Sequence, residues 1–433
     1  MRTRLLAAAL ALASLCGVLT ACGSPGSGPS GTATVHYWSV SMAPTVAQDR
    51  KILTAELDRF TAQTGIKVDL RVLNWADLYT RLMAAVAGGR GPDVVDIGNT
   101  WSASLQDTGA FLAFDDAAMA AIGGRDRFLA TSMSSTGAAG KPPASIPLYG
   151  QSYGLYYNTT LFAQAGISHP PVTWEEFLAD AQKLTKPGQW GVSVDGASTD
   201  GNGHLAFILG RQHGARLLDS HGDPQFDSPP ERAAITNLLE LMSTHKVVNP
   251  SDAEHGGIND ALAALAHGKA AMVPFQSGGR GYLDSVGFHD YAVAPLPVLS
   301  PLPPGGADVR SFVAGTNLAV FKNTAHSSAA LQLVRFLTSD SEQVTLNKAF
   351  GTLPVVTAVQ DNPAFADPVT QTFATILREH AETMPMIGDE AQMETLLGGA
   401  ISDLWAKAAT GDLTEAGIAA ALRKATEQMA AAR

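Results

Sequence analysis

Three short apolar runs separated by helical patterns, all between residues 35 and 97, constrain the fold more than any other feature of the chain. Residues 35–40 form the first run, and a helix follows with Ile52, Leu53, Leu57 and Phe60 on one face and Thr64-Gly65 as its stop. Residues 66–73 form the second run, followed by a helix over 76–87 that closes at Gly88-Gly89. The third, Pro92-Asp93-Val94-Val95-Asp96-Ile97, reads as a buried strand. Successive β-α units return to one sheet by crossovers of a single hand, which predicts parallel strands with helices on both faces.

The pattern continues after residue 146. Thr173-Trp174-Glu175-Glu176 has the S/T-x-x-E form of a capping box, with Phe177 and Leu184 continuing the helix that it opens. Residues 259–266 read as a helix stopped at His267-Gly268, 272–275 as a strand and 295–304 as a Pro-dense extended segment. Residues 331–337 form an amphipathic helix, and 394–431 are mainly helical. A remainder of about 400 residues is long enough for two domains, and no internal repeat is visible.

The N-terminus has the parts of a secretory signal: Arg2 and Arg4, an apolar run over 5–18, then Leu19-Thr20-Ala21-Cys22. That run is shorter than the roughly 20 apolar residues of a membrane span. The tetrad resembles the bacterial lipobox, in which the Cys thiol is acylated and becomes the mature N-terminus. The chain has 2 Cys, and Cys16 lies in the segment that would be removed, so Cys22 is expected to carry lipid rather than a disulfide. Residues 23–34, rich in Gly, Ser and Pro, read as a tether. The formal net charge is −11, without basic blocks, which argues against nucleic acid or an anionic lipid surface as a partner. Membrane contact is expected through the anchor only.

Six local patterns occur in order along residues 35–430: His36-Tyr37-Trp38; Gly91-Pro92-Asp93-Val94-Val95; the block from Ile146-Pro147-Leu148 through Leu155-Tyr156-Tyr157-Asn158 to Thr173-Trp174-Glu175-Glu176-Phe177; Gly268-Lys269-Ala270-Ala271-Met272; Gly315-Thr316-Asn317-Leu318-Ala319-Val320; and Gly351-Thr352-Leu353-Pro354. Together they resemble the extracellular solute-binding proteins that serve ABC importers of carbohydrates, the relatives of maltose-binding protein. The resemblance implies an α/β, two-lobe periplasmic-binding-protein-like fold of type II, with mostly parallel sheets flanked by helices and a ligand cleft at the hinge. It implies residues 1–21 as signal peptide, 22–33 as lipidated tether, 34–147 and 316–353 as the N-lobe, and 152–310 and 357–433 as the C-lobe. Hinge strands are expected near 147–151, 311–315 and 353–356. It further implies a monomer without cofactor or metal that captures a sugar by lobe closure, without chemistry, and hands it to the permease subunits of an importer.

Ligands of open α/β sheets sit beyond the carboxyl ends of the strands. The loops there offer Trp38, Ser39, Asn74, Trp75, Asn99, Trp101, Tyr149, Gln151, Gln276, Ser277, Arg280, Arg310 and Phe312 as candidate ligand residues. Aromatic faces and amides are the mixture a sugar ring needs. Tyr149 and Gln151 fall in an expected hinge, whereas Trp174 and Trp405 read as packing residues. Gly278-Gly279 stands where maltose-binding relatives place an aromatic, so malto-oligosaccharide specificity is not implied.

Catalytic and metal motifs do not complete. Ser243-Thr244-His245-Lys246 has the S-x-x-K form but no Lys-Thr-Gly accompanies it. Asp200-Gly201-Asn202-Gly203 is similar to the middle of a calcium loop, yet Leu209 stands at its twelfth position. His204, His213 and His221 share no helical face. Two rival functions remain. Arg280 and Arg310 suit a glycerol phosphodiester or other polyol phosphate, and a lipid-anchored glycoside hydrolase would need two carboxylates from Asp96, Asp195 and Asp389.

Overall fold

The computed structural model describes residues 33–432 except residue 258. The leader, Cys22 and nearly all of the tether lie outside the described residues. Strands β1 (Thr34–Val40), β2 (Lys67–Leu73), β3 (Val94–Gly98), β4 (Ile146–Gln151), β5 (Tyr153–Asn158), β6 (Trp190–Val192), β7 (Ala270–Gln276), β8 (Tyr291–Ala294), β9 (Ser311–Phe312), β10 (Ala314–Val320) and β11 (Ala381–Glu382) alternate with helices. They form a five-stranded sheet ordered β2-β1-β3-β10-β4, a four-stranded sheet ordered β6-β7-β5-β8, and a β9-β11 pair. Each large sheet anchors one lobe of a two-lobe α/β fold.

Local chemistry sets the first elements. The helix Val46–Thr64 opens on the Thr45 side chain, which accepts from Gln48 N, and stops at Gly65 with φ 74°. The next, Trp75–Gly88, stops at Gly89 with φ 62°. Only a residue without Cβ adopts such a left-handed cap without strain. The helix Trp174–Leu184 carries both halves of the capping box between Thr173 and Glu176. Residues 295–304 form no named strand.

The parallel order expected from the leading β-α units holds where those units lie. β1 runs parallel to β2, with Thr34 opposite Lys67 and Val40 opposite Leu73, and parallel to β3, with Tyr37 opposite Val94. The sheets as wholes are mixed rather than mostly parallel. β10 enters antiparallel to both β3 and β4, Thr316 facing Gly98 and Tyr149. It arrives from the other lobe at the carboxyl edge of β3, so it can only run back along its neighbour. In the second sheet β5 is antiparallel to β7 and β8, and only β6-β7 is parallel.

The lobes are joined tightly. β4 passes into β5 through Ser152 alone, whose hydroxyl donates to Phe373 O at 2.9 Å. β9 passes into β10 through Val313. Residues 353–356 run beside the first link: Leu353 bridges Gly150, Val356 bridges Phe128, and Val355 and Val356 pack in the first lobe's core. The first lobe packs Tyr37, Phe60, Phe114 and Tyr149 into its core. The second packs Phe207, Phe226, Leu404 and Trp405, with the fully buried Trp405 Nε1 donating to Asn202 Oδ1 at 3.0 Å.

Gly398 is where the helix Glu390–Thr410 crosses the helix Thr199–His213, and a Cβ there would collide with the Thr199 carbonyl. Backbone cannot step aside as a side-chain tip can. Gly398→Ala is expected to lower stability by about 2 kcal/mol through overpacking. Chemical denaturation followed by tryptophan fluorescence measures it, and an unchanged midpoint would contradict this account of the crossing.

Candidate ligand-binding cleft

The carboxyl edge of the first sheet faces the second lobe. Directly after β3 a short turn, Asn99–Trp101, leads into the helix Ser102–Asp107. Trp101 leaves this turn half-buried and meets two aromatics of the helix after β2 edge-on: Trp75 at 5.9 Å between ring centroids and Tyr79 at 5.0 Å. Trp38, Trp75 and Trp101 all pack against one apolar cluster that includes Val40, Leu78, Ile97 and Leu105. The result is an aromatic wall on the first lobe.

The second lobe answers with a polar wall. His204, on the helix Thr199–His213, stacks on Phe312 with centroids 4.1 Å apart, and its Nδ1 lies 3.3 Å from the Tyr153 hydroxyl. Its Nε2 is 3.2 Å from Glu394 Oε1, an ion-pair contact rather than an aligned hydrogen bond, and no donor is hydrogen-bonded to that oxygen. Thr100, from the first lobe, donates to Glu394 Oε2 at 3.4 Å. One turn before Glu394, Glu390 is fully buried, and no N–H or hydroxyl donor reaches either of its carboxylate oxygens. Burial first, then the charge of Glu394 and the contact between the two carboxyls, and last the charge of Asp200, hold the Glu390 carboxyl well above the ordinary carboxylate range. The Tyr79 phenol is pushed up by burial and by the Glu390 charge, which places Glu390 electrostatically against the aromatic wall.

Further contacts tie the lobes along this seam. Asn99 Nδ2 donates to Val313 O at 2.7 Å, Ala391 N to Ser104 Oγ at 3.4 Å, and Ser134 pairs with Thr383 through their hydroxyls. Two cavities of ≈ 250 and ≈ 540 Å³ lie elsewhere, one beside Trp190, His255 and Lys269, the other beside Phe114, Arg125 and Lys141.

A family model described as bacterial extracellular solute-binding protein matches residues 43–344, well over half of the chain. The chain belongs to that family. Its relatives include an uncharacterised lipoprotein of Streptomyces antibioticus, 26% identical over 84% of this chain and 79% of that protein. The diacetylchitobiose-binding protein DasA of Streptomyces coelicolor is 24% identical over 70% of this chain and 69% of its own length. In fold it is similar to an ABC-transporter solute-binding protein of Thermotoga lettingae bound with α-D-tagatose, with a TM-score of 0.78 and 20% identity over 92% of this chain and 99% of that one. The family is one of binding proteins, so this solute-binding protein is not an enzyme.

The structure sorts the thirteen candidates. Trp75, Asn99, Trp101 and Phe312 come together at the seam. Trp38 lies inside β1 rather than beyond its end, half-buried, with the Arg71 guanidinium 5.4 Å over its ring. Asn74 precedes the helix of Trp75, exposed, without a capping bond from its side chain. Gln151 and Ser277 are buried beside the β4-β5 link; Gln151 Oε1 accepts from Gly278 N at 3.2 Å, and the Ser277 hydroxyl has no partner. Gln276 is half-buried opposite Tyr153.

Four candidates face elsewhere. Ser39 is buried and donates to Val40 O at 3.3 Å. It shares the inward face of β1 with Val35 and Tyr37. Tyr149 is buried edge-on to Phe350 in the first lobe's core. Arg280 Nη1 donates to Asp367 Oδ1 and Thr370 Oγ1, both at 2.9 Å, and Arg310 Nε donates to Asp308 Oδ1 at 2.6 Å. Ion pairs within the second lobe already hold both guanidinium groups. Tyr79, Tyr153, His204, Glu390 and Glu394 were absent from the sequence-derived set. The only available signal was the i, i+4 spacing of Glu390 with Glu394 and of Asp200 with His204, which puts each pair on one helical face.

Proposed function

We propose that this solute-binding protein captures a carbohydrate (a di- or oligosaccharide or an amino sugar) in the seam between its lobes and delivers it to the permease of an ABC importer. The reading rests on one observation: the half-buried Trp75-Tyr79-Trp101 wall faces the buried acceptors Glu390 and Glu394 across the lobe boundary. An aromatic face covers the C–H side of a sugar ring, and carboxylates accept from its hydroxyls. The links at Ser152, Val313 and residues 353–356 act as the hinge, each a short element-terminal stretch able to absorb a change of φ and ψ. The protein works as a monomer, held at the outer face of the cell membrane by lipid on Cys22.

A polyol phosphate is the weaker reading, because Arg280 and Arg310 are already engaged in ion pairs and the seam presents carboxylates. A calorimetric screen over disaccharides, amino sugars and glycerophosphodiesters, with small-angle scattering of each complex, tests the proposal. We expect a carbohydrate to bind near micromolar affinity, about −8 kcal/mol, and to reduce the radius of gyration. Binding of phosphodiesters alone, or no compaction with any bound sugar, would overturn it. Labelling with a clickable palmitate analogue tests the anchor. Cys22→Ser is expected to abolish incorporation and release the protein to the medium.

A further inference from the structure

The polar wall holds more negative charge than a neutral sugar needs. Glu390 and Glu394 lie one turn apart on the helix Glu390–Thr410, both more than nine-tenths buried. No N–H or hydroxyl donor reaches either Glu390 oxygen, whose side-chain partner is the Glu394 carboxyl, and Glu394 Oε1 has only the oblique His204 contact. Asp200, solvent-exposed one turn before His204, adds a third carboxylate close enough to act on Glu390. No Lys or Arg among the described residues pairs with these three. Arg211 is held by Glu382, Arg280 by Asp367 and Arg310 by Asp308. The single facing cation-former, His204, is already fixed between Phe312, Tyr153 and Glu394.

Closing a lobe over two carboxylates that receive so few hydrogen bonds is costly unless something neutralises them. Protons can do so, and burial pushes the Glu390 carboxyl in that direction. A ligand carrying its own positive charge replaces those protons with an ion pair in a desolvated site. The opposing wall suits the same guest, because Tyr79, Trp75 and Trp101 offer indole and phenol faces, which attract a cation as well as a sugar ring.

We propose that the seam selects a carbohydrate bearing a protonated amine, with the ammonium group seated between Glu390 and Glu394 and the sugar ring against Trp101. This rests on the carbohydrate reading above and narrows it to cationic amino sugars and amino-bearing oligosaccharides. Anionic guests are repelled by the same two residues.

The test is calorimetric titration with a matched pair of disaccharides, chitobiose with free amines and its N,N′-diacetyl form, together with cellobiose as the neutral parent. The amine is expected to bind at least tenfold more tightly than either other compound. It should also release protons, read as a difference in apparent enthalpy between Tris and phosphate buffers. Glu390→Gln and, separately, Glu394→Gln are expected to bring the amine-to-acetyl affinity ratio towards one. Circular dichroism and melting temperature establish that each variant is folded. If the acetylated or neutral disaccharide binds as tightly as the amine, or the ratio survives both substitutions, the charge selection is wrong while carbohydrate capture stands. If none of these compounds nor any sugar of the wider screen binds, both readings fall.

Discussion

Trp101→Ala is expected to weaken sugar binding by about 30- to 100-fold, or roughly 2–3 kcal/mol, while the protein remains folded. The indole leaves a turn fixed at both ends: β3 precedes it with Asn99 tied to the Val313 carbonyl across the lobe boundary, and the helix Ser102–Asp107 follows it. Its edge-on contacts with Trp75 and Tyr79 hold the ring before any ligand arrives. Little conformational freedom is therefore lost on binding, and desolvation of the aromatic face is returned as affinity. Gly98 sits beneath the ring, with a hypothetical Cβ only 3.2 Å from the indole, so the truncation removes a ring that rests on backbone rather than a buried plug. Trp101→Phe keeps an apolar face and is expected to lose less than tenfold. Titration calorimetry of both variants, beside their melting temperatures, separates the two roles. A fall in melting temperature with affinity intact would assign Trp101 to packing alone.

The positions that could be read from sequence and those that could not differ in physical kind. The opening β-α units, the Gly65 and Gly89 caps and the Thr173 capping box are local: each is decided by residues within one turn or one strand. The antiparallel entry of β10 is not local, because its partners in β3 and β4 lie more than 160 residues away in the chain. At the candidate site, strand ends already place Trp75 and Trp101 in the sequence, and the fold brings both to the seam. Ser39 could have been set aside from the period of two alone, since it shares a face with the buried Val35 and Tyr37. Glu390 and Glu394 were invisible for the opposite reason. An acidic pair at i, i+4 reads as a solvated helix face, and only the packing of that helix against the helix Thr199–His213 and the Asn99–Trp101 turn buries it. For Arg280 and Arg310 a sequence shows charge but not the Asp367 and Asp308 that pair with it in the fold.

Glu231→Gln is expected to stabilise the protein at alkaline pH and to leave it unimproved near pH 5. Glu231 lies in the first turn of the helix Pro229–Ser243, buried, with neither oxygen hydrogen-bonded and Gly210 of the neighbouring helix pressed against it. Burial pushes its carboxyl up to about 8 from an ordinary 4.5. The folded protein therefore keeps a proton that the unfolded chain gives up above pH 4.5. Protons bound in the unfolded state are then fewer than in the native state, so stability declines as pH rises from about 4.5 to about 8 and is level beyond. At 1.36 kcal/mol per unit the loss reaches roughly 3 kcal/mol at pH 7 and roughly 5 kcal/mol by pH 8.5. Glutamine has nearly the same shape, as the contact with Gly210 demands, and does not titrate. Its buried amide costs about 1–2 kcal/mol at every pH, which leaves the variant no better than the parent at pH 5 and several degrees more heat-stable at pH 8.5. Asp195, raised to about 7 by burial, slopes the same way in both proteins and so drops out of the comparison. Melting curves of parent and variant from pH 5 to 9 measure the difference. A gap that does not change with pH would mean that Glu231 is ionised inside the fold, and that an unseen donor reaches it.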